Sequence, residues 1–317
     1  MAVTAETNGT NGHSNGVPEK KREVSNHHMD STIWNELEMR PDDIVIATYA
    51  KSGTTWTQQI VGQLVHQADP TIAAGSMSPW VDLRVIPREV MLGMLGEQKH
   101  RRFMKTHLPR DALRWDPKAK YIFIGRDGRD MIWSAHHHFT AANPIFYEMF
   151  AQGEFDGPKL QRPADDPREM FVSLLDRENG PDPAQMWPFW SHIRSWWEVK
   201  DHPNLMLVHY NDLKADLDGE MRKIAKFLGT PEMTKEQWDA AVEHCTFDWM
   251  KEHAELAAPP QAEMVFEQGA KSFINKGTNA RWKDRLSEED CQRYEAMARE
   301  ELGEECARWL QYGNQKA

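Results

Sequence analysis

A chain of 317 residues, 40% hydrophobic and 27% charged, carries enough apolar material for a sizeable core, which excludes a wholly disordered or fibrous protein. Its 38 Lys and Arg against 49 Asp and Glu leave a formal charge of −11. That argues against a nucleic-acid partner or an anionic membrane surface, yet leaves room for a local cationic pocket.

Residues 1–32 read as a flexible N-terminal tail, polar, without periodicity and without the apolar segment of a secretory signal. From 33 to 313 the pattern is that of one α/β domain. Ile44–Tyr49 is an apolar, β-branched run of the kind that forms a strand buried on both faces, and Trp56, Ile60 and Leu64 then mark a helix. Phe103–Thr106, Tyr121–Ile124 and Leu205–Val208 repeat the strand pattern. Alternation with helical stretches predicts a mostly parallel central sheet flanked by helices, with the ligand at the carboxyl ends of the strands. Asn143–Pro188, dense in Pro, Asp and Gly, reads as an excursion from the sheet, partly loop, in the position of a lid. Leu217, Met221, Ile224 and Leu228 mark an amphipathic helix that Gly229 closes. Cys245, Cys291 and Cys306 have no CxxC spacing and suggest neither a disulfide framework nor a zinc site. With no apolar run of membrane-spanning length, the expected location is cytoplasmic, with no membrane partner.

Ala50-Lys51-Ser52-Gly53-Thr54-Thr55-Trp56 follows a strand and opens a helix, where free N–H groups and the helix dipole favour an anion. Gly53 lets backbone approach closely, Lys51 adds a point charge, and Ser52, Thr54 and Thr55 add hydroxyl donors. The loop is P-loop-like without being a Walker A motif, because the lysine precedes Ser-Gly and no glycine stands upstream. His107 alone reads more readily as structural than as a base, and Arg126 alone as an ion-pair partner of Asp127 or Asp130. His136, His137 and His138 point about 100° apart on a helix and cannot converge on one ion, so no metal is expected. Trp187, Trp190 and Trp197, near helical spacing, read as core packing. Trp80, Phe139, Phe146 and Tyr147 are available to line an apolar pocket suited to a phenol or another small aromatic alcohol.

Tyr49–Trp56 resembles the 5′-phosphosulfate loop of the cytosolic sulfotransferases, which move a sulfuryl group from 3′-phosphoadenosine 5′-phosphosulfate (PAPS). Gly125–Ser134 is similar to that family's 3′-phosphate segment, with Arg126 and Ser134 at the matching spacing. Lys105-Thr106-His107-Leu108-Pro109 resembles its segment bearing the general base, and His209–Leu213 with Lys226–Gly229 its adenine-side block. The resemblance runs from about Ile44 to Trp282 and implies His107 as base, assisted by Lys51 and Lys105. It implies Arg126 and Ser134 at the 3′-phosphate, and Tyr210 and Trp56 at adenine. The acceptor would be a small molecule offering a hydroxyl or an amine, and adenosine 3′,5′-bisphosphate (PAP) would be the product.

Two positions depart from the family pattern R-K-G-x-x-G-x-W-K, which here reads Asn275-Lys276-Gly277-Thr278-Asn279-Ala280-Arg281-Trp282-Lys283. Asn275 replaces an arginine expected at the 3′-phosphate and Ala280 replaces a glycine; Arg281 is the residue placed to compensate. Two other readings stand beside the transferase: a P-loop nucleotide kinase, and a nucleotide-binding module without chemistry, to which Asn275 lends weight.

Overall fold

In the computed structural model, which describes residues 16–176 and 186–315, all four apolar runs are strands. They are β1 (Ile44–Thr48), β2 (Phe103–Thr106), β3 (Lys120–Gly125) and β4 (Leu205–His209), all parallel, in the order β2-β1-β3-β4. Ile44 pairs with Phe103 on one side and Lys120 on the other, and Tyr121 pairs with Leu205. Every residue of β1 is buried, because parallel strands carry helices on both faces.

The alternation of side chains along β1 divides the core in two. Ile44 and Ile46 join Ile60, Val61 and Leu64 of helix α1 (Thr54–Val65) on one face. Val45 and Ala47 join Met104, Tyr121 and Phe123 on the other. From β1 the chain crosses to β2 at one side and returns to β3 at the other, so the connections diverge at the carboxyl end of β1. A crevice there is the ligand position of an open α/β sheet. Helix α2 (Gly128–Thr140) leaves β3 with Asp127 as its N-cap, and the excursion that follows contains α3 (Pro144–Ala151) and α4 (Pro167–Leu174). Helices α5 (Trp190–Trp197), α6 (Tyr210–Ala215), α7 (Leu217–Leu228) and α8 (Glu288–Tyr312, kinked at Gly303) are among those that flank the sheet. Gly229, at φ 65°, closes α7 as its C-cap.

The flexible tail expected over 1–32 does not extend through 16–32. Residues 1–15 lie outside the described residues, but 16–32 form a strap packed on the domain. Met29 is fully buried, and His27 and His28 are nearly so. Met29 bridges to Leu83, and Ser25 to Asp30. Arg84 donates to the carbonyls of Asn26 and His27, while its own N–H donates to that of His28. One methionine and two imidazoles thus anchor a segment whose average composition is polar.

Candidate active site

The chain leaves β1 through Tyr49–Gly53 and enters α1. Lys51 at φ 64° and Gly53 at φ 119° are both left-handed, and at Gly53 only glycine fits. A Cβ there would lie 2.8 Å from Ile124 Cδ1 and 3.0 Å from Tyr210 Cδ2. No side chain caps the first turn of α1, so its free N–H groups face the crevice as anion donors. Thr54 and Thr55 line the same space, and Thr54 Oγ1 is 2.7 Å from Thr48 Oγ1. Ser52 is buried behind the loop and is not part of the cavity wall, so its hydroxyl is not placed to donate there.

The crevice opens into one cavity of about 740 Å³, and no Asp or Glu is among the described residues that line it. Lys51, Lys105, Arg126, Lys276 and Arg281 all reach it. Burial, then the charges of Lys105 and Arg126, pulls the Lys51 ammonium down to about 7. Burial likewise pulls Lys105 to about 8. Lys51 Nζ is 3.3 Å from His138 Nδ1 and 4.7 Å from the centre of the Phe273 ring. Among the described residues these cations have no counter-ion in the cavity, which makes it a site for a polyanion.

Arg126 is buried but makes no ion pair with Asp127 or Asp130. Asp127 instead pairs with Arg129 at 2.7 Å, and Asp130 accepts from the Ala280 N–H at 2.6 Å. The Arg126 guanidinium donates to Lys51 O at 3.0 Å and Asn279 Oδ1 at 2.7 Å, and lies 4.1 Å from the Tyr210 ring centre. Its Nε is buried without a partner among the described residues, an orphaned charged donor beside a cavity otherwise suited to phosphate.

His107, at the end of β2, is fixed by β1. Its Nδ1 lies 2.9 Å from the Thr48 carbonyl oxygen, which only accepts, so Nδ1 carries the proton. Nε2 therefore holds the lone pair and has no hydrogen-bond partner among the described residues, while the ring lines the cavity. The Trp80 ring stands edge-on at 4.6 Å, and Asp82 holds that indole by accepting from its Nε1 at 2.8 Å. Burial, then the charge of Lys105, keeps the imidazole well below its usual range and hence neutral.

At the opposite end Trp56 and Tyr210 line the cavity with ring centres 5.3 Å apart. The Trp56 Nε1–H is committed to the Cys245 carbonyl at 2.7 Å. Ser134, Asn275, Lys276 and Gly277 complete this end. Gly277, at φ 60°, sits against Phe247, whose Cδ2 a Cβ would meet at 2.4 Å.

A sulfotransferase-domain model matches residues 41–305. The chain belongs to the sulfotransferase family. A glycolipid sulfotransferase of Mycobacterium bovis is 30% identical over 287 residues, covering 84% of this chain and 86% of the relative. Sulfotransferase 1C2 of Homo sapiens is 25% identical, covering 85% of this chain and 87% of its own. Mouse sulfotransferase SULT7A1, solved with PAP, superposes with a TM-score of 0.65 at 21% identity, covering 87% and 90% of the two chains. This sulfotransferase is therefore a PAPS-dependent enzyme that transfers a sulfuryl group to a hydroxyl and releases PAP, and the kinase reading falls with the family assignment.

Of the residues that the sequence suggested as catalytic, cofactor or acceptor contacts, the fold brings all but two to the sulfotransferase cavity. Ser52 is one, and Tyr147 the other: its hydroxyl turns away to donate to Phe139 O at 2.6 Å. Tyr147 is correct as an aromatic of α3 and wrong as a pocket residue, since its helical neighbour Phe146 takes the inward face. Trp187, read as core packing, is buried and also lines the cavity, 5.9 Å from the His107 ring. His137 and His138 reach the cavity, whereas His136 Nε2 meets the Ala164 carbonyl at 2.8 Å. Sequence reasoning missed His28, Phe150, Phe266 and Phe273, which also form the wall.

Proposed function

We propose that the cation-lined end of the cavity holds PAPS and that the apolar end holds a small, uncharged acceptor alcohol or phenol, with His107 as general base. The single observation that carries this is the pairing of a fixed, unprotonated His107 Nε2 with cations that have no carboxylate among the described residues lining the cavity. The residues present fit the donor: an orphaned Arg126 Nε, uncapped N–H groups of α1, and a loop that tolerates no side chain at Gly53.

In this reading Gly53, Thr54 and Thr55 cradle the 5′-phosphosulfate, while Arg126, Ser134, Lys276 and Gly277 hold the 3′-phosphate. Asn275 offers a neutral amide where the family has a guanidinium, and Arg281, which feels the charge of Arg126 across the same wall, supplies the missing cation. Trp56 and Tyr210 enclose the adenine. His107 Nε2 takes the acceptor hydroxyl proton as the oxygen attacks sulfur, a contribution of about 10²- to 10⁴-fold. Lys51 and Lys105 stabilise the charge that moves onto the transferring group and the leaving phosphate. Sulfuryl transfer supplied by PAPS needs no more from the protein than this alignment and charge.

An amine acceptor fits poorly, because an ammonium would enter a cavity lined by Lys51, Lys105 and Arg126 with no carboxylate among its described lining residues. The bacterial relative's glycolipid activity accords with an apolar lining. No helix among the described residues is long and apolar enough to cross a membrane, and we place the enzyme in the cytoplasm. The test is labelled PAPS offered with 2-naphthol or with tyramine blocked at its phenol: label in the naphthol is expected, and preferential labelling of the amine overturns the acceptor class.

A further inference from the structure

The strap of residues 16–32 lies ahead of the segment matched by the family model, yet it puts one side chain into the cavity. His28 is 4% exposed and stacks on Phe150 with ring centres 4.0 Å apart. It shares two indoles with His107. Trp80 lies 5.9 Å from His28 and 4.6 Å from His107, and Trp187 lies 5.8 Å and 5.9 Å from them. The two imidazoles therefore look into one aromatic slot.

We propose that His28 is an acceptor-binding residue that hydrogen-bonds a second oxygen of the acceptor, so that the preferred acceptor is an uncharged, apolar molecule with two oxygens, one at each imidazole. The inference rests on the sulfotransferase reading above and assigns its acceptor subsite. His28 Nδ1 contacts His27 Nδ1, which uses one ring nitrogen. Nε2 has no partner among the described residues, although the side chain is more than nine-tenths buried. Whichever of the two Nδ1 atoms donates, His28 Nε2 is left with one hydrogen-bonding role, as donor or acceptor, and a hydroxyl serves both. Burial, then the nearby charges, keeps the ring neutral, so it binds a dipole and not an anion.

Three contacts make the position rigid enough to discriminate. The Arg84 backbone N–H donates to His28 O at 2.8 Å, and its Nη2 donates to Phe150 O at 3.2 Å, tying strap and α3 to one arginine. The His28 N–H donates to Asn26 Oδ1 at 2.9 Å. Trp80, Phe150 and Trp187 pack around His28, so a second acceptor oxygen left unpaired against these rings would be buried at a cost.

The experiment compares 2-naphthol with 2,6- and 2,7-dihydroxynaphthalene and 4,4′-dihydroxybiphenyl in the full-length enzyme and in His28→Phe, which retains the ring stack without the nitrogens. Wild type should favour at least one diol over the matched mono-ol by about tenfold in KM, beyond the statistical factor of two. In His28→Phe that advantage should vanish, read as the ratio of diol to mono-ol KM within each enzyme and not as the basal rate, while the thermal shift with PAP, which reports the nucleotide end of the cavity, is retained. A second variant, His28→Gln, keeps a hydrogen-bonding amide and should recover part of the preference. A diol advantage that survives in His28→Phe, or none for any diol in wild type, overturns the inference. Failure of both enzymes to sulfate any acceptor, with no PAP shift, would overturn the parent reading instead.

Discussion

Binding of PAP at pH 8 should draw protons from solution, because the cavity holds two ammonium groups whose charge burial has suppressed. Free Lys51 titrates at about 7, and at pH 8 only about a tenth of it is charged. Lys105 titrates at about 8 and is about half charged. The sign follows from the direction of the shifts. An anionic ligand favours the ammonium forms and raises both pKa values, so uptake accompanies binding and affinity falls as pH rises from about 7 upward. Full recharging would take up about 0.9 proton at Lys51 and 0.5 at Lys105. Uptake of about one proton per PAP is expected, since one partly screened site need not recharge completely. Titration calorimetry in two buffers of different ionisation enthalpy reads the number directly. Lys51→Met should remove most of it. Zero uptake at pH 8 in wild type would show that the lysines are charged in the empty cavity or do not face the ligand, and would refute the reasoning.

Gly53→Ala forces a side chain into a backbone at φ 119° and against Ile124 Cδ1 at 2.8 Å, which should cost about 2–4 kcal/mol in denaturant unfolding and weaken PAP binding; unchanged stability and affinity would contradict the loop geometry. Ala280 sits at φ 63°, so Ala280→Gly should stabilise, by about 0.5–1 kcal/mol once the looser unfolded chain is counted, read as a higher Tm. His107→Ala should lower kcat by at least about 10²-fold with PAP affinity intact, whereas Arg281→Ala should weaken PAP at least about tenfold with kcat at saturation intact. Steady-state kinetics beside PAP titration separates the two.

The strands were legible because each is a short apolar, β-branched run that both faces of a parallel sheet bury, and the phosphate loop because its residue types suit only a tight turn at a helix start. Ala280 shows the same logic at the level of one residue. Its departure from a family glycine marks a position where the backbone is left-handed. The strap was not legible, since Met29 and His28 owe their burial to Leu83, Phe150 and Trp80, partners far along the chain that local polarity does not announce. Tyr147 was misplaced because an aromatic pair on a helix always has one member turned about 100° from the other; Phe150, one turn beyond Phe146, was the readable signal. Phe266 and Phe273 lie in short helices and turns without periodicity, and only the tertiary fold brings them to Lys51 and His138.

The central claim is that this cavity is a PAPS site, and thermal stability measured with PAP, against ATP and magnesium as control, tests it most directly. At 100 times its Kd, PAP should add about 2.7 kcal/mol to the folded state, raising Tm by several degrees, while ATP with magnesium gives a much smaller shift. A shift with ATP and magnesium alone, and none with PAP, would contradict the account.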